Sequence, residues 1–138
     1  MTTLMALKDL TVRFHTAGGA SITAIDRLNL SLDRGKVLGL IGESGSGKSV
    51  SLRAILRILP ERRTAIEGRI EVDGKDVLAL KGRPLADYRG GTVSMIFQEP
   101  ATALDPVFTI GQQIAESVMR HNGVSHASAM ARALEMLE

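Results

Sequence analysis

Cysteine is absent from all 138 residues, which excludes disulfide staples, thiolate catalysis and cysteine-ligated metal sites. Stability must therefore come from packing, and the absence is compatible with a reducing compartment. No stretch approaches the roughly 18 consecutive apolar residues of a membrane-spanning helix. The opening residues 1–14 also lack a basic segment followed by an apolar one, so the chain is predicted to stay in the cytoplasm. Neither charge sign dominates: 17 Lys and Arg against 15 Asp and Glu leave a net charge of +2. Nucleic acid is not predicted as a partner, because Arg62 and Arg63 sit beside Glu61 with no interleaved aromatics, as in a solvated loop. His15, His121 and His126 are scattered without a carboxylate pair at ligand spacing, and they are assigned no metal. No internal repeat is present, and a 44% hydrophobic content suffices for one folded domain.

What is present begins with alternation. Leu10, Val12 and Phe14 interleave with Thr11 and Arg13, predicting a strand with one apolar face. Gly18-Gly19 reads as a turn, and Ile22 to Ile25 and Leu28 to Leu32 as two more short strands of an antiparallel sheet. The character then changes: Val37-Leu38-Gly39-Leu40-Ile41 is apolar without alternation, predicting a strand buried on both faces. A helix is expected from Lys48 to Leu59, stopped by Pro60. Arg69 to Val72 alternates into Asp73-Gly74, a hairpin signal, and Leu85 to Arg89 suits a turn of helix. Thr92 to Phe97 is a second candidate core strand. Two helices close the chain, Thr109 to Arg120 and Ser125 to Glu138, the second with Met130, Ala133, Leu134 and Leu137 on one face. That last helix has no stop signal, which predicts a chain cut short.

Between the unalternating strand and the first helix lies Gly42-Glu43-Ser44-Gly45-Ser46-Gly47-Lys48-Ser49, matching the phosphate-binding pattern of two glycines separated by four residues and followed by Lys and Ser. Gly42, Gly45 and Gly47 let the backbone take positive φ and approach an anion, so successive N–H groups can point at phosphate oxygens. The helix start adds the positive end of its dipole. Lys48 is expected to reach the β and γ phosphates of ATP, and the Ser49 hydroxyl to ligate Mg²⁺. A glycine-rich helix cap would need neither Lys48 nor the preceding apolar strand.

Residues 40–49 resemble the Walker A motif of the ATP-binding cassette (ABC) transporters. Residues 96–114, Ile-Phe-Gln-Glu-Pro-Ala-Thr-Ala-Leu-Asp-Pro-Val-Phe-Thr-Ile-Gly-Gln-Gln-Ile, resemble the Q-loop region of the dipeptide and oligopeptide importer ATPases. The resemblance covers nearly the whole chain. It implies an α/β fold, a P-loop NTPase core with an N-terminal antiparallel β subdomain over about residues 1–98 and the start of a helical subdomain over about 99–138. It implies nucleotide contacts by residues 42–50, Glu43, Ser44, Ser46 and Val50 included. Gln98 would contact Mg²⁺ and the attacking water, and Phe14 would stack on adenine where the family more often has Tyr. Asp105-Pro106, a turn signal, falls in a stretch that in the family lies near the surface receiving a membrane subunit. The implied protein is an ATP-binding importer subunit, peripheral on the cytoplasmic face of the inner membrane. It would work with a second ATPase subunit, two transmembrane permease subunits and, indirectly, a solute-binding protein.

Other family motifs find no match. Gly18-Gly19 and Gly90-Gly91 are not in the setting of a Leu-Ser-Gly-Gly-Gln signature, and four apolar residues followed by Asp-Glu occur nowhere. With the signature, Walker B and switch His missing, these 138 residues are expected to turn over little ATP. Two other classes stay open on the residues alone: a P-loop ATPase of DNA repair or chromosome organisation, and a non-catalytic nucleotide-binding module. The absence of heptads and cysteines speaks against the first.

Overall fold

The computed structural model describes residues 2–99 and 103–138, which form two compact units divided between Leu85 and Ala86. Pro100, Ala101 and Thr102, part of the segment resembling the Q-loop region, lie outside the described residues.

The first unit is built on an antiparallel sheet. Strands β1 (Thr3–His15), β2 (Ser21–Asp33), β3 (Thr64–Val72) and β4 (Lys75–Asp76) lie in the order β2-β1-β3-β4. The two short strands expected around residues 22–32 are one long strand, and β1 begins at Thr3 rather than Leu10. Leu7, Leu10, Val12 and Ile70 are essentially unexposed and form the core with Val77. Thr11 is buried too, against the simple alternation, because its Oγ1 accepts a hydrogen bond from the Arg27 N–H at 3.1 Å. A buried hydroxyl is tolerated when paired.

Irregularities in this sheet have local causes. Asp9 and Arg27 take positive φ, 48° and 46°, and Asn29 holds both: its Oδ1 accepts from Asp9 N–H, and its Nδ2 donates to Asp9 Oδ1 and Arg27 O. On the other side of β1, Gly68 (φ 91°) lets the Asp9 carbonyl come so close that an added Cβ would stand 2.4 Å from it. At the β3–β4 turn, Asp73 and Gly74 have φ of 51° and 74°, the two left-handed residues of the expected hairpin.

Helix α1 (Lys48–Ile55) stops earlier than the sequence suggests. Pro60 is not the cause. Arg57 adopts φ 55°, its N–H bonds Ala54 O at 3.0 Å and the Ile58 N–H bonds Arg53 O at 3.1 Å. These two bonds are a Schellman ending with Arg where Gly is usual, so no residue type announced it. Ala54 and Ile55 bury the inner face of the helix.

Both expected core strands fail to form. Residues 37–41 have no regular structure, with Val37 and Ile41 fully exposed at 99% and 100%. Thr92 to Phe97 carries only a single bridge, Arg89 to Val93, and Ile96 is 92% exposed. A strand apolar on both faces is stable only between strands that take up its backbone hydrogen bonds. No described strand runs beside either segment.

The second unit is a helical hairpin of α3 (Ile110–Asn122) and α4 (His126–Leu137), preceded by α2 (Gly82–Gly91), which begins in the first unit. Helix α2 extends the turn expected at Leu85 to Arg89 and kinks at Arg89 and Gly90. Thr109 and Gln112 form a reciprocal capping box on α3, Gly123 ends it with φ 65°, and Ser125 caps α4. Ala115, Ala129 and Ala133 bring the helices together, with Ile114, Val118, Met119 and Met130 packed around them. Leu134, Met136 and Leu137 are exposed, so the buried face of α4 is Ala129, Met130 and Ala133 rather than the expected set.

Two outcomes are expected. Gly68→Ala should cost about 2 kcal/mol or more, since it combines a left-handed φ with a backbone clash. Gly39→Ala, with nothing within 4 Å of the added Cβ, should be near neutral in the same denaturant melts. Burial pushes the phenol of Tyr88, the single tyrosine, up to about 12. The folded chain then retains a proton that the unfolded chain releases near pH 10, so this contribution is complete below about pH 10 and is lost as pH rises towards 12. Phenolate absorbance should show a midpoint near 12 in buffer and near 10 in denaturant.

Candidate phosphate-binding site

The loop between residues 42 and 49 owes its shape to glycine. Gly45 and Gly47 take φ of 82° and 89°, the left-handed region that costs other residues energy, whereas Gly42, expected to share it, does not. Gly47 is required twice, since it also lies against β2, where an added Cβ would stand 2.8 Å from Ala24 O and 3.4 Å from Ile25 Cγ1. The end of the loop is thereby pressed onto the sheet. Ser51, buried and not singled out in the sequence, secures the same point from within the helix: its hydroxyl donates to Gly47 O at 3.0 Å. Gly42 faces the concavity, and a Cβ there would meet Ser46 Oγ at 2.9 Å and approach Lys48 Nζ at 3.7 Å.

Lys48 is folded back into the loop. Its ammonium donates to Gly42 O at 2.6 Å, Glu43 O at 2.5 Å and Ser46 Oγ at 2.9 Å. It spans the concavity from inside rather than reaching into solvent. Helix α1 begins at this point without a side-chain cap at Gly47 and without an acidic residue in its first turn. Its leading N–H groups thus have no carboxylate or hydroxyl competing for them, the condition under which a helix start accepts an anion. Ser49 is exposed at the second helical position and Val50 is half-buried behind it; Glu43, Ser44 and Ser46 are exposed on the loop. Mutually placed donors, one cation and a site open to solvent suit a phosphate chain, and the glycines leave room for its close approach.

Phe14 is half-buried in β1, paired in register with Ile22 of β2, the strand against which the loop rests at Ala24 and Ile25. Gln98 lies in the second unit, exposed in a bend after residues 94–97.

A further ordered feature of the second unit was not legible in the sequence. The Gln113 side chain closes on the turn at Asp105-Pro106: its Oε1 accepts from Asp105 N–H at 2.9 Å, and its Nε2 donates to Asp105 O at 2.9 Å and Phe108 O at 3.0 Å. Asp105 Oδ1 accepts from the Val107 N–H. The turn signal at Asp105-Pro106 was readable, whereas the glutamine that fastens it, eight residues on, had no pattern to reveal it. The clamp leaves Val107 and Phe108 exposed.

The ABC transporter family profile matches residues 25–138. The peptidoglycan transport ATP-binding protein YejF of Agrobacterium fabrum is 45% identical over 97% of this chain and 24% of its own length. The oligopeptide transport ATP-binding protein OppD of Bacillus subtilis is 40% identical over 100% of this chain and 38% of its own length. The dipeptide transport ATP-binding protein DppD of Lactococcus lactis is 41% identical over 98% and 39%. The chain thus spans between about a quarter and two fifths of the length of these curated relatives. With the profile covering most of its residues, the chain belongs to the ABC transporter family.

Proposed function

We propose that residues 42–49 bind the phosphates of ATP, and that the chain is part of the ATP-binding subunit of a peptide importer. The observation that carries this reading is the Lys48 ammonium held across the glycine loop by three oxygen acceptors. Phosphate oxygens offer the same type of acceptor with full negative charge, and charge-assisted bonds are the stronger ones. The loop is therefore poised to exchange its own oxygens for those of a ligand. The relatives named for oligopeptide and dipeptide transport support a peptide as the solute.

In this reading Lys48 reaches the β and γ phosphates, the loop from Gly42 to Gly47 turns main-chain N–H groups on them, and Ser49 would be a ligand of Mg²⁺, as would Gln98. Phe14 stacks on adenine, Val50 makes a further nucleotide contact, and Gln98 positions the attacking water. Mg²⁺, when bound, would supply positive charge against the phosphates. The contribution of the loop is electrostatic: fixed dipoles and one ammonium aimed where negative charge grows on the transferred phosphoryl group. A helical subdomain begins at about residue 99. The complete subunit pairs with a second ATPase and docks peripherally, on the cytoplasmic side, against two permease subunits served by a solute-binding protein. Among the described residues, no helix is long and apolar enough to cross a membrane.

Calorimetric titration with Mg-ATP tests the reading on the chain as it stands. Wild type should bind measurably. Lys48→Ala should lose binding by a factor of about 100 or more, as expected when a charged partner of a phosphate is removed, with an unchanged melt because Lys48 contributes no packing to the core. Equal affinity in the two proteins would contradict the assignment.

A further inference from the structure

A second concavity in the first unit lies at the other end of α1, beyond its Schellman ending. Its volume is about 550 Å³, inside the roughly 300–1,000 Å³ range of small-molecule sites. The walls are aliphatic, formed by Leu59, Ile66, Leu78, Leu80 and Leu85. No aromatic side chain lines it, so nothing there stacks on a base or a ring.

Charge at the rim is one-sided. Arg57, whose backbone makes the left-handed helix ending, directs its guanidinium to the Val77 and Leu78 carbonyls at 3.2 and 2.9 Å and to Glu61 Oε1 at 3.5 Å. Glu61 is balanced by that contact. Lys81, exposed on the same lining, has no ion-pair partner among the described residues. The rim therefore carries one more cation than anion. Thr64 also lines the concavity, and its shielded hydroxyl has no hydrogen-bond partner among the described residues. Such hydroxyls are nearly always paired, and a change of χ1 rotamer re-aims this one without moving the backbone.

Aliphatic walls, a volume of small-molecule size and a single surplus cation together define a ligand chemistry. We infer that this concavity binds an amphipathic carboxylate, its unbranched aliphatic chain along the leucines and its headgroup at Lys81. The inference does not depend on nucleotide binding at the phosphate loop, because no residue lines both places.

Decanoate titrated into the 138-residue chain, followed by amide chemical shifts, tests it. Saturable shifts are expected at residues 59–66 and 78–85, and they should persist in excess pyrophosphate and in Lys48→Ala. Lys81→Glu, an exposed position that folding should tolerate, should weaken decanoate by about fivefold or more while leaving 1-decanol binding unchanged. Leu80→Asp should weaken both ligands. If Leu80→Asp fails to fold, the contrast between decanoate and decanol in Lys81→Glu decides alone. Shifts confined to Val37–Ile41, no saturation, or equal decanoate affinity in Lys81→Glu would overturn the proposal.

Discussion

Most of what this chain is suited to do rests on one contact: the α-carbon of Gly47 against the carbonyl of Ala24. The absence of a side chain allows both the left-handed turn and an approach that leaves a Cβ only 2.8 Å from that oxygen. From this point α1 starts with its N–H groups directed into the loop and no cap of its own. The antiparallel sheet, whose core of Leu7, Leu10, Val12 and Ile70 is fully buried, gives the contact something rigid to press against. The shape of the glycine loop thus depends on a well-packed sheet beneath it.

The distribution of packing is uneven. Apolar side chains are buried where the sheet, α1 and the helical hairpin provide partners, whereas Val37 to Ile41 and Ile96 stand in solvent. These two segments are the most strand-like by composition and the least strand-like in structure. Hydrophobicity alone does not make a strand: its main-chain groups must be paired, and the hydrogen bonds of a buried strand come from its neighbours rather than from itself. The phosphate loop nonetheless keeps its form, since its closest contacts run to β2 and to its own helix rather than to the residues before it.

Legibility in the sequence followed the range of the interaction. The glycine loop, the Asp73-Gly74 hairpin and the Thr109 and Ser125 helix starts are decided within a few residues, and each could be read from residue types. The early end of α1 was illegible because an arginine occupies the left-handed position usually held by glycine. The face of α4 was misread because alanines, not leucines, sit where the two helices approach most closely. Gln113 and Ser51 were missed since a clamp or a helix-internal hydroxyl bond has no spacing rule. Of the candidate loop, its glycine pattern and its place at the start of a helix were legible, whereas the inward fold of Lys48 is visible only in three dimensions. Membership of the ABC transporter family, drawn from the loop together with residues 96–114, agrees with the profile over residues 25–138. The transport relatives lend no support to an ATPase acting on DNA.

The central claim is that the main-chain donors of the loop, with Lys48, receive a phosphate chain. Amide proton shifts of Gly45, Gly47 and Lys48 during a pyrophosphate titration test it most directly, since a charge-assisted bond to an N–H moves its proton resonance downfield. The account requires saturable downfield shifts at these three amides, larger than any in β1 to β3. Unmoved loop amides, or small changes spread evenly over the chain, would contradict it.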